Sequence, residues 1–267
     1  MKKRIMKFNK MNQIVNKIDT KGYLFYAIGE IILVVLGILI ALQINNWNES
    51  TKRAYKEQEI LLQLKEDFKS NLQQLNQKND IRSIMIRDAF KILNSYDNPV
   101  QANKDSLIKY FSNITINPTF DPIKNDINNS ENIRLISNSE LKKLISHWSS
   151  DIVAVQEEER NWTKFIYEEL LPLWIDLGIQ RDIFNYKWHT NSKNWTYLLD
   201  KGADTKLKSI GKSKLGVSLK EILNSREIES SAAITIGLNK TTNIQGKALK
   251  NRIVKILHLI DNELNNN

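Results

Sequence analysis

Three kinds of residue in this chain have the chemistry to make a site: histidines, acidic runs, and one carboxylate set inside an apolar stretch. His147, His189 and His258 lie in different segments, with no His-x-x-x-His pair to turn two imidazoles toward one metal. A lone helical histidine such as His147, beside Trp148, reads as packing or surface. There is no Cys, so there is no thiol nucleophile, disulfide or thiolate metal site. Gly-rich phosphate loops and a Gly-x-Ser-x-Gly elbow are also missing. "EEER", Glu157 to Arg160, has oxygens for a cation, but a charge run on a long helix is more simply a solvated face laced with ion pairs. "DPIKNDINN", Asp121 to Asn129, lacks the Gly and Glu that an EF-hand loop requires and reads as turn chemistry. The sequence implies no catalytic residue, no cofactor and no metal.

The isolated carboxylate is Glu30. It interrupts "YAIGEIILVVLGILIALQINNW", whose apolar part runs from Leu24 to Ile44, about the twenty residues that cross a hydrocarbon core of roughly 30 Å. Fourteen Leu, Ile, Val or Phe side chains in that run favour insertion. Together they contribute roughly −4 to −8 kcal/mol as an upper bound. One ionised carboxylate opposes this by about 3 kcal/mol at the centre and by less near an end. Tyr23 and Tyr26 at one edge and Trp47 at the other form the aromatic anchors of such a span. The run is too long for a signal-peptide core, and its exit, Ala41-Leu42-Gln43-Ile44, offers no small-x-small cleavage site, so it reads as an uncleaved anchor. On a helical wheel Glu30 shares a face with Ala27, Val34, Gly37 and Ala41. Small residues let two membrane helices approach, and a carboxyl there can hydrogen-bond to a partner. Two readings stand: membrane-helix association through Glu30, Gly37, Ala27 and Ala41, or a carboxylate that merely lies near the inner boundary.

Charge sets the expected orientation. Residues 1–22 hold seven Lys or Arg against Asp19 alone, a net +6 of the chain's +9. The excess of Lys and Arg beside a span stays cytoplasmic, so the amino terminus is expected inside and the remainder exported. A nucleic-acid binder would carry its excess on the folded domain; here only +3 is left for residues 23–267, and no nucleic-acid partner is expected. The expected partners are the lipid bilayer and, through the span, a homo- or hetero-oligomer.

The string "YAIGEIILVVLGILIALQINNWNE", followed by a Lys/Glu-rich helix, resembles a family of Bacteroidetes membrane proteins classed as a domain of unknown function (DUF6090). "INPTFDPIKNDINNSENIRLISNSELKKLISHW" and the carboxy-terminal "ILHLIDNEL" resemble it too, with the membrane string the specific part. The resemblance implies a single-pass anchored protein and carries no catalytic residues across.

The elements after the span read as helices. Glu49 to Tyr96 holds no Pro or Gly, and Leu61, Leu64, Phe68, Leu72 and Leu75 recur at helical spacing until Asp97-Asn98-Pro99 stops them. A short helix near Asp105 to Phe111 precedes a Pro- and Asn-rich loop over about 113–137. Ser137 to Glu140 has a capping-box pattern. Behind it Leu141, Ile145, Trp148, Ile152, Val155, Trp162 and Ile166 make one apolar stripe, with Glu159 its polar exception, until Pro172 bends or stops the helix. Residues 178–216 read as short helices and loops. Ser218 to Glu221 repeats the capping pattern, and a helix runs to about Glu263, interrupted near Gly237 to Gly246. Ala248 to Ile260 is too short and too charged for a second span and reads as an amphipathic bundle helix.

The reading is therefore all-α: one N-terminal transmembrane helix followed by a long-helix bundle. Its parts are a basic cytoplasmic flank (1–22), a transmembrane helix (23–47) and an exported domain (48–267) with long helices over about 49–96, 138–171 and 218–263. The function expected is that of a non-enzymatic interaction or ligand-binding module facing the periplasm from the bacterial inner membrane. The alternative is an envelope enzyme with an unrecognised site between the acidic loop and the Trp188, Trp195 and Tyr197 region.

Overall fold

A chain without period-two alternation has only helices to build with, and the computed structural model contains helices and no strand among the residues it describes, 20–124, 130–190 and 207–266. The flank before Thr20, most of the acidic stretch past Lys124, and Trp195 with Tyr197 lie outside the described residues.

Helix α1, Thr20–Asp97, is 78 residues long. The apolar run and the first bundle helix, expected as two elements, form one, because neither Gly nor Pro occurs between Gly37 and Pro99. The chain divides into two units, Met1–Lys56 and Glu57–Asn267.

In the second unit α2 (Lys104–Ile114) starts at Asn103, whose side chain accepts from the Ser106 amide. The expected loop over 113–137 holds a short helix, α3 (Ser130–Leu135). Helix α4 (Ser139–Phe165) is capped differently from expectation. Asn138, not a Ser–Glu box, accepts from the Leu141 amide; Ser137 gives its amide and hydroxyl to Glu57, and Glu140 pairs with Lys255. Asn and Asp cap as well as Ser does, so neighbouring candidates are separated only by tertiary partners.

Pro172 does not stop this helix. A π-helical turn, Ile166–Leu170, leads into α5 (Leu171–Asp176), and the wider turn makes room for the ring where Pro would otherwise clash with the carbonyl four residues back. The stop comes at Gly178, whose φ of +64° forms a Schellman ending: the Ile179 amide reaches the Trp174 carbonyl and the Gly178 amide that of Ile175. A Cβ there would lie 2.7 Å from the Leu215 carbonyl oxygen, so only Gly fits.

After α6 (Gln180–Asn185) and a π-helical turn at Tyr186–Thr190, the described chain resumes at Leu207 as an irregular returning segment that ends at Val217. Helix α7 (Leu219–Leu223) opens with the expected capping box, Ser218 and Glu221 each accepting from the other's amide. Helix α8 (Arg226–Asn266) then runs unbroken through Gly237 and Gly246; the interruption lies earlier, at Asn224–Ser225. One helical Gly costs only about 1 kcal/mol, less than packing returns. At Gly246 the missing Cβ is useful, since it would sit 2.5 Å from Asn79 Oδ1.

Two apolar clusters form the core of this unit. One gathers Leu61, Phe68, Leu75, Trp148, Ile152 and Ile256, and the other Met85, Ile92, Phe111, Trp162, Trp174 and Ile183. The Leu141 to Ile166 stripe is buried throughout, as its spacing predicts.

Candidate functional site

The residues expected to act in the membrane all lie on α1. Tyr23, Tyr26 and Trp47 are exposed, and so is every residue from Gly22 to Ser50, including Ala27, Glu30, Val34, Gly37 and Ala41. A Cβ added at Gly37 would meet nothing within 4 Å, so no described residue packs against that position. Over an 18-residue window this helix has a mean hydropathy of 2.6 and none of it buried, which makes it long and apolar enough to cross a membrane.

The second unit holds a buried charge pair that separates its two apolar clusters. Arg82 on α1 donates to Glu159 on α4, with the side chains 1% and 6% exposed. The guanidinium also donates to the Pro118 carbonyl and to Asn79 Oδ1, each at 3.0 Å. Glu159 accepts the Phe120 amide on both oxygens, at 3.1 and 2.9 Å. Burial pushes the Glu159 carboxyl upward, against the downward pull of Arg82, the Phe120 amide and Lys78. Helix α8 completes the layer: Asn243 donates to the Asn79 carbonyl and Ser83 Oγ, while buried Thr235, Asn239 and Thr242 return their hydrogen bonds to carbonyls one turn back.

The described part of the acidic loop considered for catalysis, up to Lys124, is tied to this layer at Pro118 and Phe120 and to the preceding turns of α1 beyond it. Asn71 exchanges two hydrogen bonds with the backbone of Ile123 and Gln74 two with that of Asp121, as a neighbouring strand would. The Trp162 indole donates to the Ile116 carbonyl. Every one of these bonds satisfies backbone in a segment that has no ladder of its own. Their chemistry is positional.

The remaining candidates disperse. In the "EEER" run Glu157 pairs with Arg160 on the surface, while Glu159 turns inward to Arg82. His147 and His189 contact nearby carbonyls, His258 contacts Asn262, and the three stay on separate elements. Among the described residues, no three His, Cys, Asp or Glu side chains gather where a metal could be held.

One concave site was not anticipated. A cleft of about 450 Å³ lies between α2, α6 and the returning segment. Asp182 accepts the Ser213 amide at 2.7 Å, Asn185 accepts the Ile210 amide at 2.9 Å, and Arg181 donates to the Ile210 carbonyl. From α2, Lys104 donates to the Val217 carbonyl at 2.5 Å and Asp105 pairs with Lys212 at 2.9 Å. Gly211, at φ +74°, turns the segment. The hydrogen bond and charge of Asp105 raise the Lys212 ammonium, and burial, then Asp88, pushes the Tyr186 phenol up. The sequence signal was a Gly-punctuated stretch, Leu207 to Val217, with three lysines and no acid; nothing in it said which acids it would meet.

The model of a family of unknown function (DUF6090) matches residues 30–86, which takes in the membrane string from Glu30 onward and the helix after it. The two later segments that resemble the family lie beyond the matched residues. No curated protein and no solved structure matches the chain.

Proposed function

We propose that this chain is a single-pass protein of the bacterial inner membrane whose helical domain faces the periplasm as a non-enzymatic interaction or ligand-binding module. The observation that carries the reading is the bare apolar helix: a run of about twenty residues, fourteen of them Leu, Ile, Val or Phe, is covered by no described residue and is long enough for a bilayer to take it up. The Lys and Arg of residues 1–22 hold that end in the cytoplasm. Alkaline phosphatase fused after Asn267 should be active and the same reporter fused before Tyr23 inactive; the reverse pattern overturns the orientation. Affinity purification from crosslinked membranes tests the module itself, and a domain recovered always alone counts against it.

The span is proposed to associate through the Ala27, Glu30, Gly37 and Ala41 face. Packing and polar contacts hold membrane helices together, each hydrogen bond contributing about 0.6–2 kcal/mol, which is roughly 3- to 30-fold in association. In a membrane dimerisation reporter carrying residues 21–48, Glu30→Leu and Gly37→Ile should lose signal by such factors. Glu30→Gln, which keeps a hydrogen-bonding group, should lose less. If all three match the unaltered span, Glu30 is only a boundary residue.

A further inference from the structure

We infer that the cleft between α2, α6 and the Leu207–Val217 segment binds a small zwitterion, an amino-acid-like molecule with an ammonium, a carboxylate and an apolar side chain. This rests on the ligand-binding reading of the domain and gives it a site. Its volume, about 450 Å³, falls in the range of small-molecule pockets. Its walls are tied before any ligand arrives, because the returning segment is fastened by side chains of both flanking helices to its own backbone. Preorganisation of that kind reduces the entropy lost on binding.

Charge selects the ligand class. Lys104 and Lys212 stand in the lining with Asp105 and Asp182, so the cleft is neutral overall but carries both signs. A purely anionic ligand would meet two carboxylates, and a purely cationic one two ammonium groups. A molecule with one charge of each sign complements both. The groups retain capacity for it. Lys104 uses one N–H on the Val217 carbonyl and an ammonium has three; Asp182 takes the Ser213 amide on Oδ1 and a carboxylate has two oxygens. The Lys212–Asp105 pair is about three-quarters exposed on both sides, and such a pair exchanges partners at little cost. Ile108 and the Tyr186 ring supply an apolar wall for the side chain.

The test is calorimetry and thermal unfolding of the full chain in detergent, with L-leucine as probe beside its two halves, leucinamide (no carboxylate) and 4-methylpentanoate (no ammonium). L-leucine should bind and raise Tm, and each half should bind at least about tenfold more weakly. Asp182→Asn keeps an oxygen for the Ser213 amide and removes the charge; Lys104→Gln removes the other. Each should weaken L-leucine at least about tenfold. No heat and no Tm shift with L-leucine up to about 10 mM overturns the inference. So does equal binding of either half, or unchanged L-leucine binding in both variants. The comparison of the three probes on the unaltered chain stands even if a variant unfolds. Should crosslinking recover a partner while L-leucine does not bind, only the cleft inference falls; should the reporter fusions reverse, the orientation falls whatever the cleft binds.

Discussion

Arg82→Met should destabilise the helical domain by about 3–5 kcal/mol, because it leaves a buried carboxylate without its counter-ion. Glu159 would keep only the Phe120 amide as a direct partner, and the Pro118 carbonyl and Asn79 would lose their donor. The pair itself is worth much less than that loss. Two charges were taken out of water to form it, and replacing both by apolar residues of similar size is often neutral. Arg82→Met combined with Glu159→Leu should therefore recover part of the stability, the Phe120 amide and Pro118 carbonyl staying without their partners, with a coupling far from additive. Denaturant unfolding of the full chain in detergent, followed by far-ultraviolet circular dichroism, measures both. The single variant should also show a pH signature. Burial is the largest influence on Glu159 and raises its pKa; without Arg82 the main opposing pull is gone, and the carboxyl titrates higher still. A carboxyl whose folded pKa lies above its unfolded value favours folding when protonated, and that contribution is lost as pH rises through the folded pKa. The deficit of Arg82→Met should accordingly shrink as pH is lowered from neutral. A double variant as unstable as the single one would mean the layer matters for its hydrogen bonds and not for its charges.

Glu159 also marks where sequence reading stopped. Its place in an otherwise apolar stripe was visible, and a polar residue at a core position implies a buried partner. Arg82 was not identifiable as that partner, because it lies on another helix, 77 residues away, among many equally plausible cations. The helices themselves were legible, since the stripes of α1 and α4 have periods that only a helix can bury. Termini were less so: Ser137 and Asn138 are equivalent caps until Glu57 claims one of them. A stop at Pro172 and a break at Gly246 are what each residue implies by itself, whereas a π-helical turn carries the helix past the first and Asn79 occupies the space beside the second. The apolar run was legible as a helix long enough to cross a membrane, because that property needs only its own length and composition. The cleft needed three segments to meet, and a basic, Gly-punctuated loop does not say where it will lie.

Trp148→Ala should cost about 3–5 kcal/mol, and Trp148→Phe far less. Trp148 is fully buried, edge-on to Phe68 with ring centroids 4.9 Å apart, in the cluster that joins α1, α4 and α8. Truncation to Ala removes the largest side chain of that cluster and leaves a void that Leu61, Leu64 and Ile152 can only partly fill. Two terms oppose each other, however. The indole Nε1 is buried without a hydrogen-bond acceptor among the described residues. An unsatisfied buried donor costs about 1–3 kcal/mol, and losing it returns that amount. The cavity term is the larger, so Ala should fall toward the lower end of its range, while Phe keeps the ring contact, drops the stranded N–H and comes close to neutral. Trp47→Ala, at an exposed position of the other unit, is the control and should leave the unfolding of the helical domain unchanged. A cost near zero for Trp148→Ala would place the Leu141 to Ile166 stripe on the surface. A Phe variant as damaged as the Ala variant would mean that the indole N–H is satisfied in the folded protein and that its bond and volume contribute to the core.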